Sequence, residues 1–247
     1  IFIGYDGLSD PMLQSMNKSN SFSDNLFFVK QSIQNGIDPY VNVIKHLPTE
    51  TEEDVQECLD NMHYTRFFYN DPVVSFSHNY VPLVLSSMSK YYNVLSANER
   101  ESYDFDIMTY LLPDYFPHNE NRFYLFRYEK NIPSNSQEWG KLEEIEEYYK
   151  KNRLSYKVQV HNGVIYYTEY CNEEEIANMV FSEPEYLAVF KATQNQVQTF
   201  EDLFTEVSKS VNQLTKYRLI EVLAHLKREH LIYCNPEFTN VVSLLIV

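Results

Sequence analysis

Gly4-Tyr5-Asp6-Gly7-Leu8-Ser9-Asp10-Pro11-Met12-Leu13, continued by Met16-Asn17-Lys18, is the stretch that decides the reading of this chain. The apolar, alternating run that leads into it, Ile1-Phe2-Ile3-Gly4-Tyr5, reads as a strand. Asp10-Pro11 then opens a helix, with a capping acceptor followed by Pro at the first helical position. Met12, Leu13 and Met16 give that helix a short apolar face. A second helix starts near Ser23, carries Leu26, Phe27, Val29, Lys30 and Ile33, and meets Gly36 where a left-handed C-cap belongs. The β-rich run Tyr40-Val41-Asn42-Val43-Ile44 is short enough for a buried strand. Thr51 and Asp54 form a capping box ahead of a third, acidic-fronted helix. Strand–helix–strand–helix at this spacing predicts βαβ units and a parallel sheet, hence an α/β fold. Because the chain opens without Met on what reads as a strand in progress, it is expected to be the C-terminal piece of a longer protein.

Charge and composition exclude several classes. Of 247 residues, 20 are Lys or Arg and 35 Asp or Glu, a formal balance of −15, which disfavours binding to a polyphosphate. Aromatic residues make up 15% and apolar residues 44% of the chain, enough for real cores. No run approaches the roughly 18 apolar residues of a membrane helix, and no signal peptide is present in these residues. Cys58, Cys171 and Cys234 are too widely spaced for a disulfide framework or a CxxC site. A reducing, cytoplasmic setting follows, with no membrane and no nucleic acid as partner.

Three blocks are expected: residues 1–70, 71–153 and 154–247. In the second, Pro72 and Pro82 punctuate extended pieces, Asn98 to Leu112 reads as a helix, and Arg122 to Tyr128 as a strand. Residues 137–153 read as a charged helix whose Glu146–Lys150 and Glu147–Lys151 pairs lie on a solvated face. The third block opens on a hairpin, since Asn162-Gly163 separates two β-rich runs. Helices follow near 184–193, 199–209 and 214–230, then a strand at 231–233, a turn at Asn235-Pro236 and a terminal β-run from Val241. That order is the order of a winged helix.

The opening stretch resembles the fourth-strand segment of radical S-adenosylmethionine (SAM) enzymes, roughly G-x-E-x-L-S-x-x-L-L-x-x-M-N-K. Val41-Asn42-Val43-Ile44-Lys45-His46-Leu47-Pro48-Thr49-Glu50-Thr51-Glu52-Glu53-Asp54 is similar to the fifth-strand segment of the same family, N-x-I-x-G-x-P-G-E-T-x-E-D. Within the family, the cobalamin-domain group that matures ribosomally synthesised peptides carries a Trp-containing helix after the barrel, then a small winged-helix-like domain. Trp139 and residues 185–247 fall in the corresponding places. The resemblance implies the C-terminal half of a radical SAM-type partial (β/α) barrel, followed by a helical region and a winged-helix-like α+β tail. It implies SAM as cofactor, with Gly4, Asp6 and Ser9 near its ribose or methionyl part and Asn42, His46 and Glu50 beside its adenine. It further implies a four-iron four-sulfur cluster held by a CxxxCxxC loop in the missing N-terminal half of the same protein, with cobalamin as an additional cofactor of this group. The implied parent activity is SAM cleavage to a 5′-deoxyadenosyl radical, or radical C-methylation, acting on a ribosomally made precursor peptide. Three departures weigh against an intact pocket: Asp6 stands for the family Glu, and His46 and Thr49 for its two Gly. They motivate the alternative of a degenerate, non-catalytic peptide-binding scaffold.

Other candidates read as structural. His63, His78, His118, His161, His225 and His230 show no metal-ligand spacing, and the cysteines read as buried small hydrophobes. Residues 199–247 carry five basic and six acidic side chains, which disfavours DNA binding by the tail. In the resemblance, that tail holds a peptide as an added strand beside a helix, a mode driven by main-chain hydrogen bonds.

Overall fold

A computed structural model of the chain describes residues 1–86, 89–100, 103–105, 127–130 and 135–247. Strand β1 (Phe2–Asp6) is followed by α1 (Asp10–Ser15), α2 (Phe22–Gln34), β2 (Tyr40–Lys45), α3 (Glu52–Met62) and β3 (His78–Pro82). The three strands pair in parallel in the order β1-β2-β3, with Ile3 opposite Val41 and Val43 opposite Tyr80. These are the two βαβ units the sequence predicts. Local signals set their ends. Ser21 with Asp24, and Thr51 with Asp54, form reciprocal capping boxes, and Gly36 closes α2 at φ 66°.

Among the described residues, one face of this sheet is covered. Tyr5, Val41 and Val43 are buried against Leu26 and Val29 of α2, Val55 and Cys58 of α3, and Trp139 and Leu142 of the later helix α6 (Ser136–Asn152). Gly4, Tyr40 and Asn79 are exposed on the opposite face. Among the described residues neither β1 nor β3 has a second strand partner, so the sheet is open at both edges and no barrel closes.

The middle block differs from expectation. After β4 (Leu85–Ser86) and α4 (Lys90–Val94), helix α5 spans only Ala97–Arg100, and Tyr103–Phe105 is strand β5. The helix expected over 98–112 therefore ends early, because Tyr-Asp-Phe is a β-forming triplet that pairs with β6 (Arg127–Lys130). β6 lies between β4 and β5 in an antiparallel sheet. Residues 106–112 of the expected helix and 122–126 of the expected strand lie outside the described residues. A second correction concerns α6. Glu146 is 2% exposed rather than solvated. Its carboxylate accepts from the His78 backbone N–H at 3.1 Å and the Tyr80 hydroxyl at 3.0 Å, faces His78 Nδ1 at 2.9 Å, and pairs with Lys150 at 2.8 Å. A buried carboxylate needs such partners, and these weld α6 to β3.

Strands β7 (Leu154–His161), β8 (Val164–Cys171) and β9 (Glu174–Phe181) form an antiparallel meander in that order. Its first turn is Asn162-Gly163 at φ 50° and 81°, as the sequence predicts. The second, Asn172-Glu173 at φ 50° and 71°, puts a glutamate in the left-handed region and leads into β9, which the sequence reading misses. Helices α7 (Pro184–Thr193), α8 (Phe200–Ser208) and α9 (Lys216–Arg228) follow, capped at Thr199 and Thr215 for the last two. β10 (Ile232–Cys234) and β11 (Val241–Ser243) close the chain as an antiparallel ribbon, and Gln198 bridges Val241. Leu219, Leu223 and Leu226 of α9 pack with Ile165, Tyr167, Phe190 and Leu203 in a second core. Tyr233, Val242 and Leu244 turn the other way, into the core under the parallel sheet.

Lys30 ties the two halves. It is 2% exposed on α2, and its Nζ donates to the carbonyls of Gln194 and Ser243 at 2.8 Å and of Leu245 at 3.1 Å. Burial pushes its ammonium pKa down from 10.5 to about 7. Lys30→Met orphans three carbonyls and should cost about 2–4 kcal/mol in chemical denaturation. The folded pKa lies below the unfolded one, so the penalty for burying charge is complete below pH 7 and fades as pH rises toward 10.5. Wild type should therefore gain stability relative to Lys30→Met between pH 7 and pH 10, and a pH-independent difference would contradict this role.

Candidate functional site

The six residues singled out by the resemblance fall at or near the carboxyl ends of β1 and β2, where open α/β sheets collect ligands. Asp6 ends β1 at φ 54°, inside a tight turn in which Gly7 N–H donates to the Tyr5 carbonyl at 2.7 Å. His46 follows β2 at φ 66°, a left-handed conformation that costs a residue with a side chain about 1–3 kcal/mol. A Cβ built on Gly4 would stand 3.2 Å from Asp6 Oδ2, a tight contact that the Asp6 carboxylate would relieve by shifting a few tenths of an ångström.

Asp6, Asn42 and Glu50 each have a partner within the chain, while the Ser9 hydroxyl is buried without a hydrogen bond of normal geometry. Asp6 Oδ2 pairs with Lys18 Nζ at 2.5 Å, and Asn42 Oδ1 accepts from Asn79 Nδ2 at 2.8 Å on the open face. Ser9 is fully buried at the start of α1, caps no backbone amide, and lies against Glu57. Burial pushes the Glu57 carboxyl up, opposed by the Asp10 N–H and the Ser9 hydroxyl. Glu50 has no exposed side-chain surface. It accepts from Leu47 N–H at 2.8 Å, Trp139 Nε1–H at 3.2 Å and the Asn135 amide at 3.3 Å. The His46 ring lies 3.9 Å from Glu50 Oε1 and edge-on to Trp139 at 6.3 Å. The structure thus brings Gly4 with Asp6, and His46 with Glu50, while Ser9 is carried away to the α1–α3 contact. As placed, these residues do not make a donor set for SAM: a bound nucleotide would have to displace Lys18 and Asn79, and Glu50 is sealed behind Trp139. Nor do the described residues contain a cluster of three or more His, Cys, Asp or Glu able to hold a metal. Cys58 and Cys234 are buried with thiol pKa values pushed up, and all three cysteines are free.

The recessed chemistry lies elsewhere, where the end of α3, the turn His63–Thr65, α6, β9 and the end of α9 converge. A cavity of about 770 Å³ is lined by Asp60, His63, Tyr64, Lys227, His230 and Cys234 among others. A second, of about 400 Å³, shares His63 and His230 and reaches Ile176 and Met179 on β9. Arg66 organises the place. Its Nε and Nη2 hold both oxygens of Glu169 at 3.1 and 3.2 Å, and Nη1 donates to the carbonyls of His63 at 2.9 Å and His230 at 3.0 Å. His63 and His230 stack at a tilt with ring centroids 5.2 Å apart. Burial lowers the pKa of both, that of His230 to about 4, with the Arg66 charge adding to the effect, so both are neutral at pH 7. No sequence spacing announced this cluster, because its members lie over 160 residues apart.

Glu50 gives a discriminating variant. Glu50→Ala strands the Leu47 amide, the Trp139 indole and the Asn135 amide, and should cost about 2–4 kcal/mol. It should also red-shift emission of Trp139, the sole tryptophan. Unchanged stability and emission would return Glu50 to the list of free ligand contacts. Among the described residues no helix is long and apolar enough to cross a membrane. No protein-family model, curated protein or solved structure matches this chain.

Proposed function

We propose that this chain is the peptide-holding part of a radical SAM-type peptide-maturation protein, and that its own contribution is binding rather than catalysis. The observation that carries this reading is the free edge of β9. Among the described residues β9 pairs only with β8, and the groove beside it is floored by the end of α9. Ile176 and Val180 on this strand are 55% and 56% exposed. A bulge between Glu169 and Tyr170 sets Ile176 out of register with β8. An open edge with apolar side chains invites an added strand, and an extended peptide there gains main-chain hydrogen bonds while its side chains meet Met179 and the end of α9. The helices α7, α8 and α9 with the β10–β11 ribbon have the element order of a winged helix, the unit expected to present such a peptide. The ligand is a ribosomally made precursor peptide, and the setting is cytoplasmic.

A second reading, with SAM chemistry in the parent protein, is favoured by the bare face of the parallel sheet. In the resemblance that face lines the barrel, and here it displays Gly4, Asn42 and Asn79. The cluster and any cobalamin would then come from outside this chain. The committed partners of Asp6, Asn42 and Glu50 favour the first reading.

Thermal shift separates the two. A ligand that binds only the native state stabilises it by about 2.7 kcal/mol at a hundredfold excess over its dissociation constant. Extended peptides selected from a display library should raise the melting temperature and protect residues 174–181 from hydrogen exchange, while SAM alone gives no shift. A shift with SAM and none with any selected peptide would reverse the order of the two readings.

A further inference from the structure

We propose that His63 and His230 form a two-histidine site for a divalent transition-metal ion of the zinc, copper or nickel class, in the cleft between α3 and α9. The argument is geometric. A metal bound by two imidazoles at about 2.0–2.1 Å in tetrahedral geometry places the ring centroids about 5 Å apart, and these rings are 5.2 Å apart at an interplanar angle of 49°. His63 caps the end of α3, and its Nδ1 is held at 2.6 Å by the Tyr149 hydroxyl. In the tautomer whose Nδ1–H donates to Tyr149, Nε2 carries the lone pair. Fixing one ring nitrogen to orient the other is the usual support of a metal-binding histidine. His230 sits at φ 50° just past α9, and its ring makes no hydrogen bond among the described residues. The ring is half-buried beside Tyr64, 5.1 Å between centroids, at the wall of the cavity.

The surroundings suit a cation with open coordination positions. The cavity of about 770 Å³ leaves room for waters to complete the shell. Asp60, one helical turn before His63, and Glu229, the residue before His230, are carboxylates lining the two cavities that meet at the rings. The opposing charges are those of Arg66, which Glu169 neutralises through two hydrogen bonds, and of Lys227 and Arg228, engaged by the Cys234 carbonyl and Glu229. Imidazole donors without thiolate or carboxylate in the shell select copper, nickel and zinc over magnesium and calcium.

The test uses the full chain with Cu²⁺ and Zn²⁺ as probes. Electron paramagnetic resonance of the one-to-one Cu²⁺ complex should show hyperfine coupling to two imidazole nitrogens. Zn²⁺ affinity by calorimetry should fall at least about tenfold in His63→Gln and in His230→Gln, and severalfold in Tyr149→Phe. His230→Gln keeps the Arg66 contact to the backbone carbonyl, so loss of folding is not its expected outcome; circular dichroism checks this. Zn²⁺ binding unchanged in the His63→Gln/His230→Gln double variant, copper spectra with one nitrogen or none, or no one-to-one binding in wild type would each overturn the site.

Discussion

The Arg66 guanidinium is the constraint on which the arrangement of the molecule rests. Four of its hydrogen bonds go to three separate parts of the chain: Glu169 on β8, the His63 carbonyl at the end of α3, and the His230 carbonyl past α9. It is 7% exposed and lies over the Phe67 ring at 4.2 Å. A buried charge is tolerable only when its donors are met, and Arg presents them in a planar fork that fits a carboxylate and two carbonyls at once. The parallel sheet, the meander and the helical tail are thereby fixed against one another. The groove beside β9 and the paired imidazoles exist because these elements are held together.

The parallel sheet poses the converse problem. Its core face is sealed by α2, α3 and α6, with Glu146 and His78 meeting each other's polar needs beneath it. Its other face carries polar groups that answer one another, Asn42 to Asn79 and Asp6 to Lys18. Such pairings keep an open face compatible with water, and they also raise the cost of admitting a nucleotide. The same physical feature underlies the preference for binding over catalysis.

How much of this was legible in the sequence follows from where the information lies. Signals confined to a few consecutive residues were readable: Thr51 with Asp54, Gly36 at φ 66°, and Asn162-Gly163 all do what their local chemistry dictates. Burial was readable for apolar side chains, such as the Leu219, Leu223 and Leu226 stripe, but not for charged ones. Glu146 sits in a charge-rich helix and was read as solvated, because the partners that justify its burial, His78 and Tyr80, come from a strand over 60 residues away. β9 was missed because Glu174, Glu175 and Ala177 have poor β-propensity, and its strand character comes from pairing with β8. Of the candidate site, neither the left-handed turns at Asp6 and His46 nor the enclosure of Glu50 by Trp139 was read from the sequence, because non-glycine residues give no local signal for positive φ and Trp139 lies far along the chain. The His63–His230 pair left no trace in sequence at all, since long-range contacts, the Arg66 clamp and the Tyr64 ring among them, bring it together.

Hydrogen exchange of wild type against Arg66→Met measures the central claim most directly. If Arg66 joins the halves, amides at the end of α3, the end of α9 and along β8 should lose protection together, while β1 and β2 keep theirs. Deprotection confined to β8, with α3 and α9 unchanged, would contradict the clamp and with it the shared groove.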